Sequence, residues 1–265
     1  MLILVPNQKE SACLLSSDFR SENPLTQTRT FHTRKRCASL KQTLEIRMKL
    51  LNTIEIEPWD YAKNEYESPS VSKAENPKGW SDFWYKCISD SNLQDLQPIE
   101  LGSYLVDINK IGEPELKTII EKELKDVDLS DYQEYVGQII GGIVVLENEM
   151  IILEPTCCGD LSDIQNWEEV GNTELNKWTQ LWIGHPWVFY KRTDNYIAIS
   201  DYTDYNLEDF KNISEKHKLS EQELLSEIKT SRKSQIEFEN RISKILKEME
   251  INNANEIAKL MTGNK

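Results

Sequence analysis

The sequence predicts an α+β fold: an antiparallel β-sheet built from hairpins, packed by helices, with a long C-terminal helical extension. Three observations carry this. Two stretches, VGQIIGGIVVLENEMIIL (residues 136–153) and VFYKRTDNYIAIS (residues 188–200), each set two apolar runs around turn-forming residues, the pattern of a hairpin. Two segments before them carry apolar residues at helical spacing. Residues 220–250 then continue almost without a helix breaker.

Taken in order, residues 50–57 alternate as a strand that Pro58 stops. Residues 60–78 are polar, contain Pro69 and Pro77, and read as a loop. Residues 79–89 place Trp80, Phe83, Trp84, Cys87 and Ile88 on one helical face, with Ser81-Asp82 as a candidate cap and the face expected in the core. Residues 98–108 are β-like. Residues 113–125 form a helix, with Pro114 in the first turn and Leu116, Ile119, Ile120 and Leu124 as its apolar face. The first hairpin follows, turned at Glu147-Asn148-Glu149. Gly141-Gly142 in its first strand mark a bulge or a close backbone approach. Residues 161–169 are a short helix and residues 173–182 a second helix or an irregular run. The second hairpin turns at Thr193-Asp194-Asn195 and is expected to join the first in one sheet. The final helix carries a 3.6-residue stripe from Leu224 to Met249, suited to packing on the sheet rather than to a long coiled coil, and residues 256–261 add a last turn or two.

Of 265 residues, 38% are hydrophobic and 29% charged, enough for a core beneath a highly charged surface. No apolar run is long enough to span a membrane, and no secretory signal is expected, since the first residues lack a long apolar stretch behind a basic start. Five cysteines without framework spacing suit reduced thiols and a cytoplasmic location. The net charge is −14, distributed as +4 over residues 1–48 and −18 over residues 49–265. An acidic body disfavours nucleic acid and suits a basic protein partner. Residues 1–47 are rich in Ser, Thr and Arg and show no sustained period. They read as a disordered arm, a targeting peptide or translated upstream sequence with the start at Met48, and the last is favoured. The expected organisation is therefore an arm at 1–47, an α+β domain at 48–210 and the helical extension at 211–265, with the oligomeric state open.

Chemistry-bearing residues concentrate in residues 151–187, IILEPTCCGDLSDIQNWEEVGNTELNKWTQLWIGHPW, which hold four of the seven tryptophans. Cys157 and Cys158 are adjacent, whereas paired zinc thiolates are normally two to four residues apart. With only Cys87, His185 and His217 to complete a set, no metal or other cofactor is expected. Cys157 or Cys158 with His185 and Asp201 gives the thiol, imidazole and carboxylate of a cysteine hydrolase, the alternative catalytic reading. Asp160, Asp163, Glu168 and Glu169, with Asp201 and Asp204, could gather as an acidic cluster, but neither a calcium loop nor a phosphate-binding loop is present. Trp167, Trp178, Trp182 and Trp187 serve a binding surface or the core. Trp167 and Trp182 are expected inside, Trp178 and Trp187 partly exposed.

The run Leu-Glu-Pro-Thr-Cys-Cys-Gly-Asp-Leu, the following Asn166-Trp167 and the segment Trp182-Ile183-Gly184-His185-Pro186-Trp187 resemble small bacterial proteins with a Pro-x-Cys-Cys-x-x-Leu…Trp motif, some of them near the SUKH superfamily. The resemblance covers residues 136–205. It implies an α+β fold, no catalysis, and an acidic surface matched to a toxin, since that superfamily is known largely for immunity proteins that neutralise polymorphic toxins. The expected function is a non-enzymatic protein-binding protein, possible partners including a toxin domain. The expected contact residues are Asp160, Asp163, Trp167, Glu168, Trp178, His185 and Trp187.

Overall fold

The computed structural model describes residues 48–264, so the expectations for residues 1–47 lie outside the described residues. Along the chain the elements are β1 (Met48–Glu55), α1 (Pro58–Tyr61), α2 (Pro77–Ser89), β2 (Leu105–Asp107), α3 (Glu113–Glu123), α4 (Tyr132–Tyr135), β3 (Gly141–Glu147) and β4 (Met150–Leu153). There follow α5 (Ile164–Glu168), β5 (Trp178–Leu181), β6 (Val188–Arg192), β7 (Tyr196–Ile199), β8 (His217–Ser220), α6 (Glu221–Glu248) and α7 (Ala254–Thr262). The class is α+β, with all strand pairs antiparallel.

The hairpins do not share a sheet. The first sheet has the order β2-β1-β3-β4 and the second β5-β6-β7-β8. Each hairpin instead recruits strands from its own side of the sequence. β1 takes the free edge of β3, pairing Met48 with Glu147 through Ile54 with Gly141. Residues 178–181, expected to be helical or irregular, form β5, and β8 closes the far edge. The first hairpin turns on two residues, Asn148 and Glu149, whose φ values of 52° and 65° match the right-handed twist of the flanking strands.

One face of β1 serves two cores in succession along its length. Met48 and Leu50 enter a core with Ile143, Val145, Trp167, Val188 and Ile197, between the two sheets. Ile54 and Ile56 join a second core with Trp84, Ile88, Leu116, Ile119, Phe238 and Ile242. Leu51 faces the opposite way, with Leu105 and Val144. α2 begins one turn earlier than Ser81-Asp82 would have capped it. Asn76 caps it, accepting from the Gly79 N–H at 2.9 Å, and Pro77 fits the first turn because its missing N–H is not needed there. Ser81 is buried instead, and its hydroxyl accepts from the Gly102 N–H at 2.8 Å.

α6 runs 28 residues, about 42 Å at 1.5 Å per residue. Leu224 and Ile228 lie in the core between the sheets, while Phe238, Ile242, Ile245 and Leu246 lie in the other. A buried polar band separates the two stretches. Asn52 Nδ2 donates to the Ser231 carbonyl at 2.7 Å, and Gln235 Nε2 donates to the carbonyls of Leu161 and Thr262 at 2.7 and 2.6 Å. Residues 211–265, read from sequence as an extension, thus contribute a sheet edge and apolar residues to both cores. Among the described residues, no helix is long and apolar enough to cross a membrane.

Candidate functional site

The Cys-Cys turn is where the sheets are joined. The Gly159 N–H donates to the Thr156 carbonyl at 2.9 Å, with Cys158 in the left-handed region at φ 67°. On one side, the Gly141 N–H donates to the Gly159 carbonyl at 3.0 Å, tying the turn to β3. On the other, the Thr156 N–H donates to Ile183 at 2.9 Å and the His185 N–H donates to Cys157 at 2.7 Å. The two segments pack so closely that a Cβ on Gly184, at φ 108°, would stand 2.4 Å from the Thr156 carbonyl oxygen. The glycines of both segments, Gly159 and Gly184, therefore have a backbone cause.

This turn carries both thiols to the surface. Cys157 Sγ and Cys158 Sγ lie 3.4 Å apart, and both cysteines are exposed. The neighbouring Cys158 thiol pushes the Cys157 thiol above its ordinary pKa, the opposite of what an activated nucleophile needs. His185, opposite Cys157 in a β-bridge, places Nε2 3.4 Å from Asp204 Oδ1. The carboxylate expected beside it, Asp201, pairs instead with Lys216 at 3.2 Å. The change arises because Trp187 pairs with Thr203 through two backbone bonds of 3.1 and 2.8 Å, which fixes Asp204 close to the 184–187 segment.

Around His185 the surface is aromatic. Trp182 and Trp187 stack with centroids 5.8 Å apart, and the His185 ring meets Trp187 edge-on at 5.3 Å. Trp182, expected inside, is 36% exposed, because it follows the end of β5 and its side chain leaves the core that Leu181 and Ile183 enter. Trp187 is half-buried. Tyr202, Tyr205 and Phe210 extend the exposed surface, with Tyr205 edge-on to Phe210 at 6.1 Å.

The other expected contact residues serve the fold. Trp167 is completely buried between the sheets, as expected of a core residue, and offers nothing to a partner. Trp178 is half-buried on β5, under the Lys191 ammonium at 4.9 Å from its ring centroid. Glu168 is engaged by Arg232 through two hydrogen bonds of 2.7 and 2.6 Å. Asp160 and Asp163 form a reciprocal cap at the turn entering α5. Asp160 accepts from the Ser162 N–H at 2.6 Å, and Asp163 accepts from the Asp160 N–H at 3.2 Å.

Burial holds the Asp163 carboxyl at about 7, although its hydrogen bonds pull the other way. An unfolded aspartate titrates near 4, so between those values the native state binds the extra proton and stability falls as pH rises. The contribution is complete below pH ~4 and lost above pH ~7. Urea unfolding at pH 5 and pH 8 is expected to show a loss on the order of 2–3 kcal/mol in the native chain that is absent from Asp163→Asn, comparing slopes rather than absolute stabilities.

Beside the thiols lies a cleft of about 760 Å³ that the sequence reading did not anticipate. Glu55 and Glu57 line it from the end of β1, Glu154 from the end of β4, and Cys157 and Cys158 from the turn. Lys73 enters from the 62–76 loop and stands 3.3 Å from the centroid of the Tyr104 ring. Burial pushes the carboxyls of Glu55, Glu57 and Glu154 up and the Lys73 ammonium down. The Tyr202 hydroxyl accepts from the Glu154 N–H at 2.8 Å and donates to the Glu154 carbonyl at 3.1 Å, so the cleft and the aromatic surface are neighbours. The spacing of Glu55 and Glu57 on an alternating strand was the one signal for this cleft in the sequence. Lys73 and Tyr104 come from segments whose positions depend on the whole fold.

No family model, curated protein or solved structure matches this chain. Among the described residues no group of three or more His, Cys, Asp or Glu is arranged to hold a metal ion.

Proposed function

We propose that the protein is a non-enzymatic, cytoplasmic binding protein for a basic protein partner, and that it acts as a SUKH-like immunity protein covering a toxin domain. The observation that carries this reading is the set of exposed rings of Trp182, Tyr202, Tyr205 and Phe210, with Trp182 stacked on the half-buried Trp187. Large rings anchor protein interfaces because they bury much area with few rotatable bonds, and exposing them in water is costly without such a use. The backbone pairs between Trp187 and Thr203 hold the two ring-bearing segments in place before any partner arrives, which limits the entropy lost on binding. The acidic body adds steering toward a basic surface.

The test is affinity capture from a bacterial extract with the native chain and with Trp182→Ala/Tyr205→Ala as baits, followed by Kd measurement on the purified retained protein. A basic protein held by the native chain, with Kd raised at least about 100-fold by the double substitution, is the expected result. Equal retention by both baits would remove the ring surface from the interface.

One observation favours a second reading, a cysteine-dependent hydrolase in which Asp204 replaces Asp201. Cys157, His185 and Asp204 share a surface through the bridge and the 3.4 Å contact described above. Labelling with iodoacetamide separates the two readings. The binding protein is expected to label slowly at Cys157 at pH 7, its rate rising toward pH 9 with thiolate formation, whereas rapid labelling below pH 7 would establish an activated thiolate and favour the hydrolase.

A further inference from the structure

Among the described residues, the acidic cleft holds one cation, Lys73, which stands over an aromatic ring among several carboxylates. Tyr104 is only 2% exposed, its ring lies beneath the Lys73 ammonium, and its buried hydroxyl has no hydrogen-bond partner among the described residues. Glu57 Oε2 is likewise buried without a partner. Glu55 and Glu57 are two residues apart at the end of β1, about 7 Å at the strand rise, and Glu154 approaches from β4. Lys73 brings three donors on one compact centre. A guanidinium brings five donors in a plane, can engage two carboxylates at once, and stacks on an aromatic ring.

We infer that this cleft is a binding site for a guanidinium group carried on an unbranched chain, and that Lys73 is a built-in occupant which such a group displaces. The inference deepens the protein-binding reading and rests on it only for the source of the cation, which would be an arginine side chain of the partner. Lys73 can leave without dismantling a core element, since it belongs to the loop between α1 and α2. Its departure exposes the Tyr104 ring face and leaves the carboxylates of Glu55, Glu57, Glu100 and Glu154 to the incoming group. While Lys73 stays, its charge offsets part of a half-buried negative cluster that would otherwise repel itself.

Calorimetric titration with n-propylguanidinium tests this on the full chain. Lys73→Ala is expected to bind the probe at least about 10-fold more tightly than the native chain, because the internal competitor is gone. Adding Glu57→Gln should abolish that gain, and neutral n-propylurea should bind neither form. Lys73→Met retains the stem and is expected to show the same gain if Lys73→Ala is unstable. A folded Lys73→Ala or Lys73→Met that binds no better than the native chain, or a gain unaffected by Glu57→Gln, would overturn the inference. An arginine-containing peptide that binds more tightly than n-propylguanidinium assigns the cation to a protein; equal affinity assigns it to a small molecule. Partner capture by the ring surface is measured separately, so its survival without guanidinium binding would remove the cleft inference alone.

Discussion

Alanine at Gly141 is expected to cost more than about 4 kcal/mol, enough to unfold a large fraction of a marginally stable domain. Gly141 is the residue at which β3 first meets β1, opposite Ile54, at φ 150°. A Cβ there would lie 2.2 Å from the Thr53 carbonyl oxygen and 2.7 Å from Ile54 Cα. These are backbone atoms of the central strand, so relief requires β1 and β3 to separate. Separation would also break the Gly141 N–H bond to Gly159 that connects the sheet to the Cys-Cys turn. Gly137 is the internal comparison, because an added Cβ meets nothing within 4 Å. Urea unfolding of both variants checks the expectation: Gly137→Ala should remain within about 1 kcal/mol of the native chain. A similarly mild Gly141→Ala would show that the strands tolerate displacement.

Trp84→Ala is expected to cost about 5 kcal/mol. The side chain is completely buried against Ile54, Ile56 and the apolar residues of α3 and α6, and truncating a buried tryptophan costs about 3–5 kcal/mol through lost transfer energy and the cavity left behind. Its indole N–H also donates to the Ile56 carbonyl at 2.7 Å, and leaving that buried acceptor unpaired adds about 1–3 kcal/mol. Trp84→Phe separates the contributions by retaining most of the packing while losing the hydrogen bond, and is expected to fall well short of the alanine variant. Trp178→Ala, at a half-buried position on β5, should cost markedly less than either. These differences are read from denaturant midpoints at constant m-value. A Trp84→Ala loss below about 2 kcal/mol would mean that α2 is not anchored through this residue.

Both large effects depend on residues whose importance was partly legible in one dimension. The helical stripe containing Trp84 announced a buried face, but not that its indole would pair with the carbonyl of Ile56 on the chain leaving β1. The Gly141-Gly142 pair announced a bulge or a close approach. The structure selects the close approach at Gly141, while the register irregularity of β3 and β4 falls between Val145 and Leu146. The candidate site was legible in the same incomplete way. The Cys-Cys and Gly-His-Pro-Trp segments were singled out by composition, and they do meet, but chiefly through backbone bonds.

The sequence by itself determined the fold class, both hairpins, and the helices at α2, α3 and α6, because each depends on local periodicity and turn chemistry within a short stretch. Tertiary structure decided the partition into two sheets, because strand pairing joins distant residues that local propensity cannot match. It also exchanged Asp201 for Asp204 beside His185, turned Trp182 outward, and assigned Asp160, Asp163 and Glu168 to caps and an ion pair. The acidic cleft is the clearest case. Glu55 and Glu57 can be placed on one face of a strand by counting residues, but the position of Lys73 over Tyr104 depends on how a loop packs against the finished sheet.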